Sequence, residues 1–224
     1  MKKLVIFDLD GTLINTLEDL AAATNHALAG CGFPERALNE YNLLVGRGIT
    51  NLFRGAVPRG EDSPANIAKM REQFLSYYEG HIHDHSRPYE GIPELIRALH
   101  EAGVRLAIAS NKYQKGAERL IRYFFKDSFS VILGQQEGFP IKPDPDIVFK
   151  AMEMTGITNK KEVAYAGDSD VDMMTGKNAG VMTVGVTWGF RSREELSSHF
   201  PDCIVDSPAG LLPLFLDSNT SYQA

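Results

Sequence analysis

The hydrophobic positions open with a continuous run, Leu4-Val5-Ile6, short and apolar enough for a strand buried on both faces. Phe7-Asp8-Leu9-Asp10-Gly11-Thr12-Leu13 follows, and Gly11 breaks the run, so two acids sit where a buried strand opens into a loop. From Thr16 to Gly32 the apolar spacing turns helical through Leu17, Leu20, Ala21, Thr24, Ala27 and Leu28. Thr16 is expected to cap this helix, with Glu18 and Asp19 in its first turn, and Gly32-Phe33-Pro34 ends it. Between Glu35 and about His85 the pattern stays helical, broken at Gly46-Arg47-Gly48 and from Pro58 to Pro64, without a convincing strand. A small helical domain with its own core is expected there.

From Arg87 onward strand and helix patterns alternate. Helical stretches are predicted at 92–102, 116–125, 146–155, 173–178, 193–199 and 211–216. Strands are predicted at 105–109, 131–133, 163–166, 181–186 and 203–205. Such strand–helix units imply an α/β fold, a doubly wound parallel sheet covered on both faces, here carrying the all-helical insert. The tail from Asp217 to Ala224 is expected to fray.

Composition narrows the function classes. A chain of 224 residues accommodates one large domain, or a core and a smaller companion. No apolar run approaches the roughly 18 residues of a membrane helix, and Met1-Lys2-Lys3 leads straight into a strand that carries acids, so no membrane association and a cytoplasmic protein are expected. A net charge of −6 argues against a nucleic-acid binder. Cys31 and Cys203 match no metal spacing and are expected as buried thiols.

In a parallel sheet, ligands bind beyond the carboxyl ends of the strands, where the strand order reverses. Three predicted strands deliver polar residues to that edge: Asp8 and Asp10, Ser110 and Asn111, then Asp168 and Asp172. Lys142 joins them from a proline-stiffened loop, Gly138 to Pro145. Four carboxylates in one cleft need compensation. A divalent cation with Lys142 would balance most of their charge, and an all-oxygen donor set points to magnesium rather than zinc. Such a site attracts another anion, and phosphate fits best. Asp8 can then attack phosphorus, while Asp10 protonates the leaving oxygen and later deprotonates the attacking water. Ser110, Asn111 and the backbone around Gly11 and Thr12 would hold the phosphate oxygens.

Four motifs in order, Asp8-Leu-Asp-Gly-Thr12, Ser110-Asn111, Lys142-Pro143 and Gly167-Asp-Ser-Asp-Val-Asp172, make the chain resemble the haloacid dehalogenase-like superfamily over nearly its whole length. The resemblance implies Asp8 as nucleophile, Asp10 as acid and base, and Lys142 orienting Asp8 and the phosphate. It implies magnesium on the Asp8 side chain, the Asp10 carbonyl and Asp168, with Asp172 acting through water. It also implies a core of residues 1–15 and 87–224, and a cap of residues 16–86 that closes over the site on hinges near 15–17 and 85–90.

Within that superfamily Val45-Gly-Arg-Gly-Ile49, Arg87-Pro-Tyr-Glu-Gly91, Ser110-Asn-Lys112 and Trp188-Gly-Phe190 are most similar to phosphoglycolate phosphatases. A small phosphorylated metabolite is the expected partner, and the chain is expected as a monomer or homodimer. Asn15-Thr16 departs from the more usual Asp-Ser of those enzymes and leaves a pyrophosphatase open. Arg47 is expected to reach into the closed site and pair with a substrate carboxylate. A phosphomutase, a dehalogenase and a receiver-like phosphate-binding module are the remaining alternatives. His81, His83 and His85 are read as surface histidines, and Phe74, Tyr77 and Tyr78 as core of the insert. Lys112 and Lys115 could attract an anionic substrate, although two lysines in a loop carry little weight in the sequence alone.

Overall fold

The computed structural model describes residues 1–217; the tail expected to fray, Asp217 to Ala224, lies outside the described residues except for Asp217. The chain begins with β1 (Leu4–Phe7) and a two-residue strand, β2 (Ile14–Asn15). The insert follows as α1 (Leu17–Gly30), α2 (Tyr41–Leu44), α3 (Ile49–Ala56) and α4 (Pro64–His81). After β3 (Arg87–Pro88) come α5 (Ile92–Glu101), β4 (Arg105–Tyr113), α6 (Gln114–Phe125), β5 (Val131–Gln135) and α7 (Asp146–Thr155). The chain then runs through β6 (Val163–Gly167), α8 (Asp170–Ala179), β7 (Met182–Val186), α9 (Arg193–Ser198), β8 (Cys203–Val205) and α10 (Leu211–Leu216).

Six strands form one sheet in the order β5-β4-β1-β6-β7-β8, and every pairing in it is parallel. β1 lies between β4 and β6, and the chain winds outward from it in both directions, so the strand order reverses at its carboxyl end. All four residues of β1 are fully buried. Val5 and Phe7 face one apolar layer, which includes residues of α5, α6 and α10, while Leu4 and Ile6 face the other, built largely from α7. A strand between two helical layers has no wet face, hence its unbroken apolar run.

Local chemistry sets the helix starts. Pro64 stands at the first turn of α4, whose Ser63 cap accepts the Asn66 N–H. Ser169 and Asp172 form a reciprocal capping box at α8, which starts at Asp170, earlier than the periodicity suggested.

Three expectations are corrected. Thr16 does not cap α1, because its hydroxyl donates to Asp10 instead. The insert has no separate core: its buried Tyr41, Phe53, Met70 and Phe74 are continuous with the apolar layer on the sheet. Cys31 and Cys203 are half-buried rather than buried. β2 and β3 were invisible to periodicity, being two residues each; they pair antiparallel where the chain leaves for the insert and returns from it.

Candidate active site

Asp8 follows the last residue of β1, and its N–H is held by Ala166 O of β6 at 3.0 Å. The loop then turns on Gly11, whose φ of +89° suits glycine, and an added Cβ there would lie 2.3 Å from Asp168 Oδ2. Gly167 ends β6, which delivers Asp168 beside Asp8, and the first turn of α8 brings Asp172 up to both. One carboxylate oxygen from each of Asp8, Asp168 and Asp172 lies within 4.8 Å of the others, and all three residues are buried.

Each acid is held differently. Asp172 is saturated by Lys142 Nζ at 2.6 Å, the Tyr165 hydroxyl at 3.0 Å, the Ser169 N–H at 3.1 Å and the Ser169 hydroxyl at 2.6 Å. Asp168 accepts the Thr12 hydroxyl on Oδ1 and the Phe190 N–H on Oδ2, both at 2.8 Å. Asp8 has the fewest partners. Lys142 Nζ forms an ion pair with its buried Oδ1 at 2.9 Å, and no other donor reaches that oxygen.

Three carboxylates face one ammonium, Lys142, so the cluster lacks two positive charges. Burial, reinforced by Asp172 and Asp10, pushes the Asp8 carboxyl up to about 7, against the pull of Lys142. Burial, with Asp172 and Asp8 nearby, pushes Asp168 up to about 8. The same two acids, Asp172 first, hold Lys142 well above its ordinary value, although desolvation opposes them. A buried Asp8 oxygen met by Lys142 alone, an oxygen-only donor set and a deficit of two charges fit a hard divalent cation.

Asp10 stands apart, bound by the Thr16 hydroxyl at 2.7 Å and by Lys112 Nζ at 3.1 Å. Ser110, Asn111 and Lys112 lie within the extended β4, whose pairing with β5 is irregular between Ala109 and Tyr113, so the polar triplet rides on the strand rather than past its end. Asn111 clamps the lysine loop: its Oδ1 accepts the Lys142 N–H and its Nδ2 donates to Lys142 O. Gly11 and Thr12, expected to bind phosphate, already donate their N–H groups within the turn, to Ile14 O and Leu9 O. Ser110 lines the cavity, and its hydroxyl accepts the Lys112 N–H at 3.3 Å.

That cavity, about 40 Å³, is lined by Asp8, Asp10, Ser110, Asn111 and Lys112 below and by Val45, Ile49, Leu52 and Phe74 of the insert above. The volume holds roughly two or three waters. The insert is therefore docked on the site. Gly46 O accepts from Asn111, and the buried Arg191 guanidinium donates to the carbonyls of Asn42, Leu43 and Val45. Arg47 is half-exposed and pairs with Asp170 at 2.5 Å, so in this arrangement it does not line the cavity.

Residues 5–186 match the haloacid dehalogenase-like hydrolase family. The chain belongs to that family. It is 32% identical to a phosphoglycolate phosphatase of Agrobacterium fabrum, covering 100% of this chain and 97% of that protein. It is 33% identical to pyrophosphatase PpaX of Listeria innocua, covering 95% and 96%. Among solved structures it superposes on a predicted phosphoglycolate phosphatase from Haemophilus somnus with a TM-score of 0.88 at 31% identity, covering 95% and 97% of the two chains. Motif reading passes over two residues that the hydrolase places at the site, Tyr165 and Arg191, which sit in otherwise ordinary apolar or loop contexts; Thr16, Lys112 and Phe190 belong to recognised motifs that by themselves give them no place at the acids.

Proposed function

We propose that this hydrolase is a magnesium-dependent phosphatase that cleaves 2-phosphoglycolate to glycolate and phosphate. The observation that carries the reaction is the buried Asp8 carboxylate at a strand end, paired with Lys142 alone and flanked by Asp168. The substrate reading rests on full-length likeness to phosphoglycolate phosphatases. Asn15-Thr16 and the likeness to a pyrophosphatase favour pyrophosphate as the second reading.

Asp8 attacks phosphorus, forming an aspartyl-phosphate as the ester P–O bond breaks. Asp10 gives a proton to the leaving oxygen, then takes one from the water that hydrolyses the intermediate. Lys142 holds Asp8 in place and neutralises phosphate charge, and the Ser110 hydroxyl binds a phosphate oxygen. Magnesium held by the Asp8 carboxylate, the Asp10 carbonyl and Asp168, with Asp172 acting through water, would stabilise charge on the transferred oxygens. The cap, residues 16–86, closes on the core, residues 1–15 and 87–224, and excludes bulk water.

The test is phosphate release from 2-phosphoglycolate, pyrophosphate and β-glucose-1-phosphate, with magnesium and with a chelator, using Asp8→Asn as the control. Selective, magnesium-dependent release from phosphoglycolate that Asp8→Asn abolishes is the expected result. Release from no ester would overturn the reading.

A further inference from the structure

We propose that Lys112, with the Tyr78 hydroxyl beside it, is the subsite for an anionic arm on the substrate's leaving group. This rests on the phosphatase reading above and deepens it, because the leaving group of 2-phosphoglycolate carries a carboxylate.

The cavity contains one basic side chain among the described residues that line it, Lys112. Its ammonium side is 3% exposed and lies 3.1 Å from Asp10 Oδ1 and 2.8 Å from the Tyr78 hydroxyl. Lys142, the other buried lysine, is held between Asp8 and Asp172 on the nucleophile side. Arg47 is turned to Asp170. The opposite wall, with Val45, Gly46, Gly48, Ile49, Leu52 and Phe74, carries no charged side chain. An anionic arm entering this cavity therefore meets Lys112 or no cation.

The placement also fits the reaction. Asp10 exchanges a proton with the ester oxygen, so that oxygen lies within one hydrogen bond of Asp10. Lys112 lies within one hydrogen bond of the same carboxylate. A carboxylate one carbon beyond the ester-bearing carbon spans that interval. The three N–H groups of the ammonium go to Asp10 Oδ1, to Asp10 Oδ2 at 3.4 Å and to the Tyr78 hydroxyl, and the long 3.4 Å contact is the one a ligand oxygen would replace. Lys112 comes from β4 and Tyr78 from α4, so the subsite is complete when the cap is docked and the buried charge is shielded from water. The second phosphate of pyrophosphate is also anionic and would use the same ammonium.

The experiment compares kcat and KM for 2-phosphoglycolate, pyrophosphate and ethyl phosphate, which keeps the ester and has no charged arm. In Lys112→Met the selectivity, kcat/KM for phosphoglycolate over that for ethyl phosphate, is expected to fall about 30-fold or more, carried by KM. Tyr78→Phe, which preserves the packing, should lower it several-fold, and Lys112→Arg should restore most of it. Comparison with pyrophosphate, an anhydride, identifies which anionic arm the subsite prefers: that of the substrate whose selectivity collapses most. Selectivity within threefold of wild type in both Lys112→Met and Tyr78→Phe would overturn the subsite, as would a loss shared equally by charged and uncharged esters. A collapse in Arg47→Ala with none in Lys112→Met would move the arm to Arg47. Wild-type enzyme that prefers ethyl phosphate to both substrates with an anionic arm would overturn the substrate reading itself, a separate outcome.

Discussion

The Thr16 hydroxyl donates to Asp10 Oδ1 at 2.7 Å, which commits to the acid/base carboxylate a group that would otherwise cap α1. Thr16 directly follows β2, opens the proposed cap and is fully buried. The proposed hinge and the proposed acid are thus joined directly. Thr16→Val keeps the shape and removes the donor; kcat should fall about tenfold with little change in KM. Thr16→Ser should keep most of the rate. Steady-state kinetics on the three proteins checks this, and an unchanged kcat in Thr16→Val would detach Thr16 from the chemistry.

Asp19 ties the two ends of the insert together. Its buried carboxylate accepts the His85 N–H at 2.9 Å, the Ser86 N–H at 2.8 Å and the Ser86 hydroxyl at 2.6 Å. Asp19→Ala leaves three donors unpaired at the base of the cap and should lower stability by about 2–3 kcal/mol. Urea unfolding measures the loss.

Gly11 lets the loop pass over Asp168. In Gly11→Ala the new methyl meets Asp168 and the positive φ adds strain. The variant should fold, yet lose both turnover and the thermal stabilisation that magnesium gives the wild-type protein. Differential scanning fluorimetry with and without the metal separates the two effects.

Asp8 and Asp168 carry raised carboxyl pKa values, so without metal the folded chain binds more protons than the unfolded chain above about pH 4. Their contribution to stability is then lost as pH rises from about 4 towards 8. A divalent cation displaces those protons and supplies the missing charge. The magnesium-induced rise in Tm should therefore be larger at pH 8 than at pH 5.5. A rise independent of pH would mean that the metal does not bind at these acids.

Much of the fold was legible because burial on two faces leaves strong traces. The apolar run 4–6 and the strand 163–166 can be read without partners, since each is a dry strand inside the covered sheet; 131–133 and 203–205 are apolar enough to read although they are partly covered edge strands. Asp8, Asp10, Lys142, Asp168 and Asp172 were legible for the opposite reason: charges next to buried strands demand a purpose. β2 and β3 were not, because two residues have no period; their pairing is a contact between positions more than seventy residues apart.

The chain alone thus determined the alternation of strands and helices, the helical insert and the acids at the strand ends, all written in local pattern and charge. Tertiary structure decided which neighbour each polar group takes. It turned Thr16 from a helix cap into a partner of Asp10, sent Arg47 to Asp170, and placed Lys112 between Asp10 and Tyr78. Those choices depend on distances across the docked cap, where a buried charge takes whichever partner packing brings within about 3 Å, and no spacing along the chain encodes that distance.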